Sequence, residues 1–121
     1  MPTVLLVDDS SVARLAVARR LEDEGLDVRT ACSAAEARAA DVATCDCAII
    51  DVDLEDTSGP DLATELRGTS PSLPVAFFTA GATAELVERS QVQGPVFTKP
   101  DLEPLVAWAQ AASRRQPPPT K

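Results

Sequence analysis

Short apolar runs alternate with amphipathic stretches along this chain, the pattern of a parallel β-sheet covered by helices on both faces. Five runs predict buried strands: Thr3 to Val7, Asp27 to Ala31, Cys47 to Asp51, Val75 to Thr79 and Pro95 to Thr98. Between the first two, Ser10 or Ser11 can cap a helix with Val12, Leu15 and Leu21 on its inner side, and Gly25 supplies a left-handed exit. An alanine-rich helix is expected from Ser33. A third has Pro60 in its first turn, Leu62 and Leu66 on one face, and Gly68 as its terminator. A weaker fourth spans Thr83 to Ser90. The last carries Leu102, Leu105, Val106 and Ala109 at helical spacing, with Asp101 and Glu103 at its start and Arg114 and Arg115 at its end to suit the macrodipole. The expected fold is therefore α/β and doubly wound, with a five-stranded parallel sheet.

At 121 residues and 45% hydrophobic content, the chain fits one domain over residues 1–115, followed by a Pro-rich tail or linker at 116–121. Nothing resembles a secretory signal, and no apolar run approaches the roughly 18 residues of a membrane span, so a soluble cytoplasmic protein is expected. A net charge of −8, with no basic cluster beyond Arg19-Arg20 and Arg114-Arg115, argues against direct nucleic-acid binding. Cys32, Cys45 and Cys47 are too few for a disulfide framework and read as reduced thiols, the last two as small apolar side chains near a strand. There is no His, which rules out a phosphohistidine on this chain as well as Ser-His-Asp or Cys-His catalysis.

In a sheet of this kind the ligand site lies at the carboxyl ends of the strands. Polar residues collect there: Asp8-Asp9 after the first strand, Asp51 closing the third, Thr79 closing the fourth, and Lys99 after the fifth. Each has an innocent reading alone, as cap, strand end or solvated charge, and it is their conjunction that counts. Lys99 is one of only two lysines against nine arginines, and a compact ammonium suits a point contact with a carboxylate or phosphate oxygen. Three neighbouring carboxylates raise one another's pKa unless a cation sits among them, and hard oxygen ligands suit Mg²⁺. With the metal present, Asp51 can serve as nucleophile toward a phosphoryl group whose oxygens Thr79 and Lys99 hold.

The segments VLLVDDS, AIIDVDL, DTSGPDL, VAFFTA and TKP, in this order and strand context, resemble the receiver domains of two-component response regulators from Thr3 to about Arg114. The resemblance implies a flavodoxin-like (βα)5 sandwich. It also implies Mg²⁺ on Asp8, Asp9, Asp51 and the backbone carbonyl of Asp53. Asp51 would be the phosphoacceptor, with Thr79 rotating toward the phosphoryl group, Lys99 contacting it and a cis peptide before Pro100. The implied partner is a histidine kinase or histidine phosphotransfer protein, and a second copy of the chain is left open. No enzyme is implied beyond self-promoted phosphotransfer and autodephosphorylation. Glu55 and Asp56 are expected to be loop solvation.

Val96 stands where the family commonly has Tyr or Phe, Asp101 replaces the usual Phe after Lys99-Pro100, and the span from Thr79 to Lys99 is short. Phe97 should face the core on the opposite side from Val96. Two other classes compete. Asp51 and Asp53 followed by Thr57 also resemble the nucleophile motif of haloacid-dehalogenase-type phosphatases, but that motif ends a first strand and leaves Asp8-Asp9 unexplained. A non-phosphorylated pseudo-receiver would need a missing acid, and none is missing.

Overall fold

The computed structural model describes residues 2–99 and 101–115. Strands β1 (Thr3–Val7), β2 (Asp27–Ala31), β3 (Cys47–Asp51), β4 (Val75–Thr79) and β5 (Val96–Thr98) alternate with helices α1 (Ser11–Asp23), α2 (Ala34–Ala39), α3 (Gly59–Thr69), α4 (Ala84–Gln93) and α5 (Glu103–Arg115). Among the described residues the strands form one parallel sheet, in the order β2-β1-β3-β4-β5. The Pro-rich stretch 116–121 and the peptide into Pro100 lie outside the described residues.

Alternation along the strands sorts side chains to two cores. Leu5, Val7, Ala48, Ile50, Val75 and Phe77 face α2, α3 and α4, whereas Val4, Leu6, Cys47, Ile49, Ala76 and Phe78 face α1 and α5. The three inner strands are buried at every position, which is why they read as continuous apolar runs rather than as alternating ones. Val96 packs with the first core and Phe97 with the second, as alternation requires. Cys45 and Cys47 are buried free thiols, and Cys32 is exposed.

Every connection from strand to helix at α1 to α4 ends in a hydroxyl cap. Ser10, Ser33, Ser58 and Thr83 each accept the N–H of the residue three further on, so these helices start next to the carboxyl edge of the sheet. Gly25 takes the expected left-handed conformation, at φ 84°. Side-chain staples then join helices in pairs. Arg20 forks onto Glu103 and Gln110 donates to Glu24, tying α1 to α5. On the other face Arg67 donates to the Gln93 side chain and carbonyl, and Gln93 donates to the Pro60 carbonyl, tying α3 to α4.

Four expectations change. Val12 and Leu15 are exposed, and the inward stripe of α1 is Val17, Ala18 and Leu21. At about 100° per residue, Leu15 lies roughly 120° and Val12 roughly 180° around the helix from Leu21. Gly68 does not end α3, which continues to Thr69 and is capped at Ser70, because Gly68 keeps a negative φ. Helix α4 runs on to Gln93, past Ser90. Strand β5 begins at Val96, while Pro95, with no N–H to give, supplies only a carbonyl, to Phe77 N–H.

Gly59 and Gly68 provide opposite tests of α3. A side chain at Gly59 would collide with the Asp51 carbonyl and the Val52 backbone, whereas nothing stands within 4 Å of one at Gly68. Urea titrations should show Gly59→Ala destabilised by about 1–3 kcal/mol. The same measurement should show Gly68→Ala stabilised by about 0.5–1 kcal/mol.

Candidate functional site

The carboxyl edge of the sheet brings the polar residues together. Asp8 follows β1, Asp51 closes β3 and Thr79 closes β4. All three are buried, and the Lys99 side chain reaches in from the end of β5 with little exposure of its own. Its Nζ lies 3.0 Å from Asp8 Oδ2 and 3.3 Å from Asp51 Oδ2, and 5.7 Å from the centre of the Phe78 ring. One oxygen each from Asp8, Asp9 and Asp51 falls within 4.8 Å of the others. Asp9 and Asp53 are exposed; Asp53 lines the open cleft together with Asp51, Thr79, Gly81 and Lys99.

Backbone donors hold the acids in place. Ser10 N–H donates to Asp8 Oδ1 at 2.9 Å and Asp53 N–H to Asp51 Oδ1 at 3.2 Å. Gly59 N–H donates to the Val52 carbonyl at 2.7 Å, seating the start of α3 on the strand end that carries Asp51. Thr79 Oγ1 accepts from Gly81 N–H at 3.3 Å and Ala82 N–H at 3.2 Å, so its hydroxyl is engaged by its own loop. Lys99 N–H donates to the Thr79 carbonyl at 2.8 Å, placing the lysine beside that strand end.

The electrostatics follow from burial. Desolvation pushes the Asp51 carboxyl up to about 6 and the Asp8 charge adds to it, while the Asp53 N–H and the Lys99 ammonium pull it back down. For Lys99, burial alone would lower the pKa, but hydrogen bonding to Asp8 and the charges of Asp51 and Asp8 outweigh it and leave the ammonium raised. Lys99 is one cation set against three carboxylates. The donor set is all oxygen, partly buried and open on the side of Asp9, which fits a hard divalent cation.

Two side chains that the sequence reading passed over also act at this edge. Arg14 Nη1 donates to the Asp8 backbone carbonyl at 2.6 Å. Asp56, expected to be mere loop solvation, instead accepts N–H bonds from Ala34 at 3.2 Å and Ala35 at 3.3 Å, capping α2 from the loop after β3. Those bonds hold its carboxyl below the usual carboxylate range. The link from Asp56 to the first turn of α2 exists only in space, across more than twenty positions of sequence, and no motif in the chain signals it.

Residues 4–100 match the response regulator receiver domain family, and the chain belongs to that family, the receivers of two-component systems. It is 39% identical over 84 residues to a probable transcriptional regulatory protein, TcrX, of Mycobacterium tuberculosis, a match covering 69% of this chain and 36% of that protein. The chain thus spans about a third of that relative's length. A response regulator receiver domain protein from Clostridium thermocellum superposes with a TM-score of 0.84 at 22% identity, over 95% of this chain and 96% of that one. The non-phosphorylated HemR receiver domain of Leptospira biflexa gives a TM-score of 0.80 at 26% identity, over 100% of both chains. No helix among the described residues is long and apolar enough to cross a membrane.

The surplus of carboxylates generates a prediction about folding. A cation that binds only the folded state stabilises it, by about 1.4 kcal/mol at ten times its dissociation constant. Thermal melts should therefore rise by several degrees with added MgCl₂ and fall back with EDTA, and Asp9→Asn should lose most of the rise.

Proposed function

We propose that the chain is a phosphoryl-accepting switch, with residues 1–115 as the working unit and Asp51 as the acceptor. The observation that carries this reading is the position of Asp51: buried at the end of β3, bonded to Lys99, and within one group of oxygens with Asp8 and Asp9. As a two-component receiver, it would take the group from a phosphohistidine on a histidine kinase or a histidine phosphotransfer protein, since none of these 121 residues is a His.

Asp8, Asp9, Asp51 and the Asp53 carbonyl would hold Mg²⁺, which when bound neutralises the acids and polarises the phosphoryl oxygens. An ionised Asp51 oxygen attacks phosphorus. The O–P bond forms as the N–P bond breaks, and the imidazole leaves with the electron pair and takes a proton. Lys99 Nζ turns from the carboxylates to a phosphoryl oxygen, and Thr79 exchanges the Gly81 and Ala82 N–H groups for another. Water later attacks the acyl phosphate, releasing phosphate and restoring the Asp51 carboxylate. Readout is a population shift of the loop after β4, α4 and β5. With Val96 rather than an aromatic at the margin of the first core, against which Ala82 and Leu86 also pack, an inward turn of Thr79 would meet little steric resistance. The negative charge of the chain supports a protein rather than a nucleic-acid target, and a cytoplasmic setting matches a kinase-derived donor.

Intact mass after incubation with a small acyl-phosphate donor tests this directly. A phosphoryl adduct should form with Mg²⁺, be lost with EDTA, be labile to base and be absent from Asp51→Asn. Steady turnover of p-nitrophenyl phosphate would favour the phosphatase reading instead, and no adduct under any condition would favour the pseudo-receiver.

Asp53 borders the cleft in which the hydrolytic water must lie, and its acid can orient or repel that water. Asp53→Ala should still accept a phosphoryl group but change the lifetime of the adduct by severalfold. A lifetime equal to wild type, or a failure to be phosphorylated, would show that the side chain has no such role.

A further inference from the structure

A parallel strand satisfies its carbonyls through its neighbour only as far as that neighbour runs. The Asp8 N–H still donates to Ala31, the last residue of β2, at 3.0 Å. Its carbonyl lies beyond the reach of that ladder, at a residue only 1% exposed, where an unpaired polar group would be costly. Arg14 supplies the missing donor, its Nη1 reaching back six residues from the first turn of α1 at a distance of 2.6 Å. Ser10 N–H fixes the Asp8 carboxylate from the same turn. The link from β1 to α1 is therefore clamped on both sides of Asp9, whose own carboxylate is exposed.

We propose that Arg14 is a positioning residue for the metal-binding acids: it orients the Asp8–Asp9 peptide so that both carboxylates converge with Asp51. This rests on the Mg²⁺-dependent reading above. The geometry and the charge of Arg14 make opposite demands. A guanidinium this close to a cation site repels the incoming cation, so on charge alone its removal tightens binding. As a positioning group its removal loosens binding, by on the order of tenfold, the scale seen when groups that orient metal ligands are lost.

Calorimetric titration with MgCl₂ of wild type, Arg14→Met and Arg14→Lys, with melting temperatures taken on the same samples, separates these. The expected result is about tenfold weaker binding in Arg14→Met and partial recovery in Arg14→Lys, which keeps one donor. If Arg14→Met does not fold, Arg14→Gln takes its place with the same expected loss. Equal or tighter binding in a folded neutral variant overturns the proposal, as does a lower melting temperature with unchanged affinity, which marks a purely structural role. Absence of Mg²⁺ binding in wild type overturns the metal reading itself, and the role of Arg14 with it.

Discussion

The contacts of Lys99 with Asp8 and Asp51 are the constraint around which this domain is organised. Burying carboxylates at the end of apolar strands costs several kcal/mol per ion unless charge and hydrogen bonds compensate. Here the compensation comes from three strand ends at once: the ammonium from β5 and the backbone N–H groups of Ser10 after β1 and Asp53 after β3. None of these groups can be placed without the strand order, because β1 and β3 must be neighbours for Asp8 and Asp51 to share one cation. The fold and the site are therefore the same problem solved once. Moving β1 or β3 by one residue would turn an acid toward the apolar core.

The helices serve that edge as well. Capping hydroxyls start α1 to α4 close to the strand ends, and Gly59 lets α3 approach the Asp51 backbone. Asp56 then links the loop after β3 to the first turn of α2, and Arg14 links α1 to the end of β1. The loops that surround the acids are thus braced onto neighbouring main-chain atoms by side chains outside the cluster, in addition to the bonds that the acids and Thr79 accept themselves.

Much of this was legible in the residues. Inner strands declare themselves because burial on both faces demands unbroken apolar runs, and the acids that end them stand out against that background. The serine cap of α1 was readable for the same reason: it marks where a run stops. What escaped was whatever depends on angle or on distance through space. Val12 and Leu15 are apolar, but a helix lying on a sheet buries only one stripe, and two residues chosen by type fell outside it. Gly68 looked like a stop because glycine can take positive φ, yet nothing obliges it to. Arg14 and Asp56 act on backbone atoms of other segments, and no spacing in the chain records which carbonyl or N–H lacks a partner.

The bonds from Gly81 and Ala82 to the Thr79 hydroxyl also bear on fidelity. Each is worth about 0.5–1.5 kcal/mol net, so together they favour the resting rotamer by roughly five- to 150-fold. In a receiver whose Thr79 turns toward a phosphoryl group, that preference sets the background level of signalling in the absence of any stimulus. A quiet pathway would then depend less on the chemistry at Asp51 than on two amide protons in the adjoining turn.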